Sequence, residues 1–259
     1  MLQHSGAELS AHQTIEVEQE RWTSIAQLAA EYETIAAVAQ HDRWADLIRR
    51  SGLTEHEADA VIASDSFGPF TAELRRAEAD RFDVEDLLPR LVRRRSLDDA
   101  DDIGAVLVTP IRHATSRRTR RLSTPDLIAG LLPAARGPMT DEMDVALTKR
   151  EHHIRTRSRG LAESAVERGD SWLTKLGTPP KEPARREQWL AAATTVAANR
   201  DRWCVEGLTI LGHSRDDLQR LDVDHAGRAI RQARAISDAT DTTSFRALAH
   251  ASPTTGLLR

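Results

Sequence analysis

Six apolar positions, Trp22, Ile25, Ala29, Tyr32, Ala36 and Ala39, are separated by steps of 3, 4, 3, 4 and 3 residues. An α-helix turns once every ~3.6 residues, so this spacing lays all six along one narrow stripe. A strand would scatter them over both faces. Leu28 and Ile35 widen the stripe, and Ile15 extends it one heptad upstream. The pattern predicts a helix over about 14–49, ended at Ser51-Gly52, where glycine can take the left-handed cap. Composition points the same way. Ala accounts for 38 of 259 residues, Gly and Pro together for 23, and aromatics for 4%. That mixture favours helices packed through small side chains over a loop-rich β-protein.

Further helices are marked by local signals. Thr54-Glu55-His56-Glu57 is a capping box that opens a helix to about Ser64. Gly68-Pro69 restarts the chain for a helix over about 70–81. Asp83 caps the next, whose Val84, Leu87, Leu88, Leu91 and Val92 form one apolar face. Pro89 lies inside that face and should kink or split it. Asp98, Asp99, Asp101 and Asp102 precede the apolar run Ile103 to Val108, as acids do at a helix N-terminus. Pro110 should bend or end that helix. Leu127 to Leu132 is a short apolar segment closed by Pro133. Thr140 opens a long helix to about Arg168, followed by a turn at Gly169-Asp170, a short helix over Ser171 to Leu176, the rigid linker LGTPPKEP and a helix over about Ala184 to Trp203. Beyond Gly207 a helix over about 222–238 is expected, and TDTTSFRALAHASPTTGLLR reads as a tail. No alternating strand pattern stands out.

The expected fold is therefore all-α: an elongated bundle of about 8–9 helices, with a basic loop between two halves and a flexible C-terminal tail. The expected divisions are 1–111, a basic loop at 112–123, a second helical part at 124–206, and a weak helix and tail at 207–259.

The chemistry searches come back empty. No Gly-Lys pair exists for a P-loop, and no glycines stand two or four apart, as dinucleotide loops and nucleophile elbows need. No two of the ten histidines are spaced i and i+4 for a helical metal site. His152 and His153 are adjacent and point about 100° apart on a helix. Tyr32 lies on the first seam and reads as core. Cys204, the one cysteine, excludes an internal disulfide and reads as a half-buried structural thiol. No catalytic residue, metal or cofactor is expected. No apolar run of about 18 residues exists to span a membrane, and the N-terminus lacks signal-peptide features, so a cytoplasmic protein is expected.

Two cationic stretches remain, against a net charge of −4. Arg112, Arg117, Arg118, Arg120 and Arg121 sit together without an acid, with Ser and Thr between them, and read as a mobile loop. Lys149, Arg150, Arg155, Arg157 and Arg159 are opposed locally by Glu151 alone. Either stretch could meet phosphates or an acidic protein partner, but neither holds an aromatic for base stacking.

Three stretches carry a family resemblance. They are GAELSAHQTIEVEQERWTSIAQLAAEYETIAAVAQHDRW, LIRRSGLTEHEADAVIASDSFGPFTAELRRAEA, and the run from LIAGLLPAARGPM through WLTKLGTPP to TVAANRDRW. Together they resemble the C-terminal region of actinobacterial MobF-type conjugative relaxases, the TraA- or TrwC-like relaxase-helicases. The likeness spans about residues 2–205 and contains no catalytic motif. Members of that family nick DNA with an N-terminal tyrosine relaxase domain, whose histidine cluster holds a metal, and carry a P-loop helicase. Neither set of motifs is present here. The pattern begins almost at Met1, which suggests a segment of a longer frame. Asn199 stands where the resemblance leads one to expect Tyr, and Pro110 interrupts a helix that the family pattern would continue. The resemblance implies a non-catalytic interaction module that meets the relaxosome or a type IV coupling protein. Single-stranded DNA binding by the arginines is the alternative, and a truncated remnant without independent activity a second one. The exposed part of the first seam is open to self-association.

Overall fold

The computed structural model describes residues 24–94, 97, 100–116 and 125–250, with 116 and 240–250 described by backbone alone. The fold is all-α. Among the described residues there are nine α-helices, one 3-10 helix and one two-stranded sheet. No described helix is long and apolar enough to cross a membrane. Two compact units are present, one holding residues 27–155 and the other residues 24–26 and 156–250. The division falls inside a continuous helix, Asp141–Arg168.

The first unit contains α1 (Ile25–Ala39, except its first two residues), α2 (His41–Arg49), α3 (Glu55–Ala63), α4 (Phe67–Ala79), α5 (Val84–Val92), α6 (Ile103–Ser116), β1 (Leu127–Ile128), β2 (Leu132–Pro133) and the first half of α7 (Asp141–Arg168). Ile25, Leu28, Ala29, Tyr32 and Ala36 are all buried, as the seam predicts, while Trp22 and Ile15 lie outside the described residues. The expected single helix is broken at Gln40. Its backbone stands at φ −104° and ψ 5°, its side chain is fully buried, and its amide nitrogen donates to the Arg136 carbonyl at 2.7 Å. The break frees α2 to turn Trp44, Leu47 and Ile48 into a core shared with Phe70, Leu74, Leu88, Leu107 and Ile111. Helix α2 ends at Arg49, as expected, and Gly52 follows at φ +96°.

The local start signals act as read. Glu57 N–H donates to the Thr54 hydroxyl at 3.3 Å, and Thr54 N–H donates to the Glu57 carboxylate at 2.7 Å. Asp83 accepts from the backbone N–H groups of Glu85 and Asp86 at 3.1 and 3.2 Å. Neither the split at Pro89 nor the end at Pro110 occurs. Helix α5 runs through Pro89 and α6 through Pro110 to Ser116. Each proline deletes one internal hydrogen bond, but buried residues on both sides keep the helix continuous. In α6 those are Ile103, Leu107 and Ile111. Leu127 to Pro133 forms an antiparallel hairpin, where no strand is expected from the sequence. Ala129 and Gly130 both take positive φ, 50° and 74°, and Leu131 N–H donates to the Ile128 carbonyl at 3.0 Å. That is the tight turn whose twist suits a hairpin.

Asp102 is the N-cap of α6. It accepts from Ala105 N–H at 3.0 Å and from the Ser66 hydroxyl at 2.6 Å, and these bonds, the Ser66 one foremost, hold its carboxyl below the ordinary range. The folded pKa is depressed, so the stability it contributes is present above the unfolded value near ~3.9 and is lost as pH falls through the folded one. Asp102→Ala is expected to cost about 1 kcal/mol at pH 7, and distinctly less at pH 3, in urea denaturation. An equal cost at both pH values would mean that the carboxylate charge is not engaged.

The second unit holds the rest of α7, a 3-10 helix (Ser171–Leu176), α8 (Pro183–Arg202) and α9 (Asp217–His250). Helix α7 stops where expected. Gly169, at φ +69°, and Asp170 donate their N–H groups back to the Val166 and Ala165 carbonyls at 3.2 and 3.0 Å, a paired C-terminal cap. Gly177 is required twice: φ is +79°, and a Cβ there would meet the Ser237 side chain at 2.6 Å. Helices α8 and α9 pack through small residues, with Ala192, Ala193, Val196 and Ala197 facing a core that includes Ala229 and Ala233. The expected tail is helical as far as His250; residues 251–259 lie outside the described residues.

Candidate functional site

Arg112 is not in a loop. It lies in α6 and binds Glu73 of α4, which is 5% exposed and also pairs with Arg76, each contact at 2.6 Å. The basic loop therefore loses its first cation to the fold. Arg117, Arg118, Arg120 and Arg121 lie outside the described residues.

The second cationic stretch lies on α7, yet it does not make one cationic face. A helix advances about 100° per residue, so its five cations point in several directions. Arg150 Nε lies 2.8 Å from Glu31 of α1. Arg155 binds Glu151 at 2.8 Å, one turn back. Arg157 binds Asp201 of α8 at 3.2 Å, and the other carboxylate oxygen of Asp201 accepts the Ile25 N–H at 2.6 Å. Arg159 holds Glu163 at 2.8 Å and Glu187 at 2.9 Å, and these carboxylates, Glu187 first, raise its pKa. Of these five cations, only Lys149 is exposed and has no ion pair among the described residues.

Two polar clusters in the second unit escaped the sequence reading. Asp222 of α9 is 2% exposed and accepts from Trp203 Nε1 and from the Arg202 guanidinium, both at 2.9 Å. Arg200 donates to the carbonyls of Gly207, Thr209 and Ile210 and lies 5.3 Å from the Trp172 ring centre, closing the loop between α8 and α9. Burial lowers its pKa, opposed by the Asp170 charge. These partners are long-range in sequence or backbone groups, so no motif spacing announces them.

The remaining candidates offer little chemistry. The Tyr32 hydroxyl accepts the Ala135 N–H at 2.7 Å, and burial foremost raises its pKa, so it is a neutral core group as expected. Cys204 corrects its expectation: it is exposed, in left-handed backbone at φ 48° beyond the end of α8. No three metal-ligating side chains gather among the described residues. A groove of about 410 Å³ lies beside Arg159, Glu163, Glu187 and Trp189, but both carboxylates are already bound to Arg159. Comparison with family models, with curated proteins and with solved structures finds no match for this chain.

Proposed function

We propose that the chain is a non-catalytic interaction module of a conjugative DNA-transfer relaxase, contacting relaxosome or secretion-coupling partners in the cytoplasm. The relaxase assignment rests on the resemblance of the three sequence stretches. The observation that carries the choice of a protein partner over DNA is the neutralisation of the second cationic stretch. Arg150, Arg155, Arg157 and Arg159 each hold a carboxylate of the same chain. A guanidinium already bound to carboxylate must break that pair before it can release counterions from a nucleic acid. What the helix offers outward in its first turns is acidic and apolar, through Asp141, Glu142, Asp144 and Val145. This reading gives the chain no catalytic step and no cofactor.

The test is coprecipitation of the purified full chain with the coupling protein and the accessory relaxosome proteins of its own transfer system. Retention of one of them is expected. Failure of folded protein to retain any overturns the proposal. The DNA alternative rests on Arg117, Arg118, Arg120 and Arg121, which stand in sequence without a nearby acid. Fluorescence anisotropy with a single-stranded oligonucleotide separates the two. Contact with about four phosphates gives a log–log salt slope near −3, lost on Arg117→Ala with Arg118→Ala.

A further inference from the structure

The first half of α7 presents an acid, an apolar residue and a base at one-turn intervals. Asp141 is exposed, Val145 is 67% exposed, and Lys149 is exposed. Each step of four residues turns the helix by about 40°, so the three share one face, with exposed Glu142 alongside Lys149. Leu147 and Ile154, both buried, mark the opposite side, so this stripe faces outward. None of the three acid and base side chains of the stripe forms an ion pair among the described residues, in contrast to Arg150 and Arg155 beside them. Gln40, at the end of α1, bonds the Arg136 carbonyl just before α7, and Glu31 earlier in α1 meets Arg150 further along α7. The two helices therefore run antiparallel.

We propose that this stripe is the docking surface for a second copy of the chain, α7 against α7, antiparallel about a two-fold axis through Val145. A two-fold contact uses one patch twice and requires that the patch complement itself. Here it does. The axis sets Val145 against its own counterpart, and Asp141 of each copy opposite Lys149 of the other. Glu142 stands next to each bridge. A parallel pairing would oppose like charges, and a nucleic acid would meet three carboxylates in the first turn of α7, Asp141, Glu142 and Asp144. A single helix pair is a small interface, so the association is concentration-dependent and weak. The inference does not rest on the relaxase reading.

Sedimentation equilibrium of the full chain tests it, at concentrations up to about 0.5 mM and at low and high salt. A monomer–dimer equilibrium that weakens with salt is expected. Asp141→Lys and Lys149→Glu should each weaken it at least about tenfold, because each opposes like charges twice. Both positions are exposed, so far-UV circular dichroism should match the parent. The decisive arm is recombination. An equimolar mixture of the two single variants restores every bridge, as does the double variant in one chain, and both should dimerise like the parent. A monomer throughout the range overturns the proposal. So does a dimer that neither charge reversal weakens, or a pair of variants that fails to recombine.

Discussion

Asp222→Ala should destabilise the unit that holds α8 and α9 by about 3–5 kcal/mol, the largest effect expected of any charge removal in this chain. The Asp222 side chain is 2% exposed and its Arg202 partner 9%. Water cannot replace the carboxylate at that depth, so the guanidinium would stay buried without a counter-charge and Trp203 Nε1 would lose its acceptor. Surface pairs such as Arg49 with Asp59, more than half exposed on both sides, are worth about 0–1 kcal/mol by comparison. Asp222→Asn keeps an acceptor for the indole while removing the charge, and should fall between parent and alanine. Urea denaturation followed by tryptophan fluorescence reads the series. A loss under about 1 kcal/mol for Asp222→Ala would show that Arg202 reaches solvent.

Trp189→Ala should cost a similar amount, about 3–5 kcal/mol, by a different route. Trp189 is 1% exposed and, with Trp172, is one of two tryptophans in a core otherwise built mostly of alanines. Its removal leaves a cavity that neighbouring methyl groups cannot reach across, and it strips the Leu176 carbonyl of the indole N–H that reaches it at 3.1 Å. Trp189→Phe fills most of the space and loses chiefly the hydrogen bond, at about 1 kcal/mol. Equal losses for Ala and Phe would place the effect in the hydrogen bond rather than in packing.

Features decided within one helical turn were legible in the sequence. The Thr54–Glu57 box, the Asp83 cap, the Gly169 stop and the bounds Ser171–Leu176 all depend on residues that touch along the chain. The seam of α1 was legible for the same reason, since a repeat of 3 and 4 reports its own buried face. Tertiary packing decided the rest. Pro89 and Pro110 weaken helices locally, and the apolar residues around them restore the continuity. The segment DTTSFRALAH is poor in strong helix formers at its start, yet its backbone continues α9. The second cationic stretch stands out only when charge is counted along the sequence. The partners Glu31, Asp201 and Glu187 come from other helices, and nothing near residue 150 foretells them.

The alanine contact between α8 and α9 leaves a question of alignment that the end groups answer. Methyl groups are nearly alike, so an Ala-on-Ala seam distinguishes poorly between one sliding position of two helices and another a turn away. Alanine also loses no rotamer freedom on burial, so the seam forms at little side-chain entropy cost and with little memory of which methyl met which. Directional polar contacts stand at both ends. Asp222 with Trp203 and Arg202 pins one end; at the other, the Ser237 hydroxyl donates to the Thr178 carbonyl at 3.0 Å and Arg234 donates to the Lys175 carbonyl at 2.5 Å. The methyl groups supply adhesion, and these latches set the register, as buried polar groups do where an apolar seam alone is ambiguous.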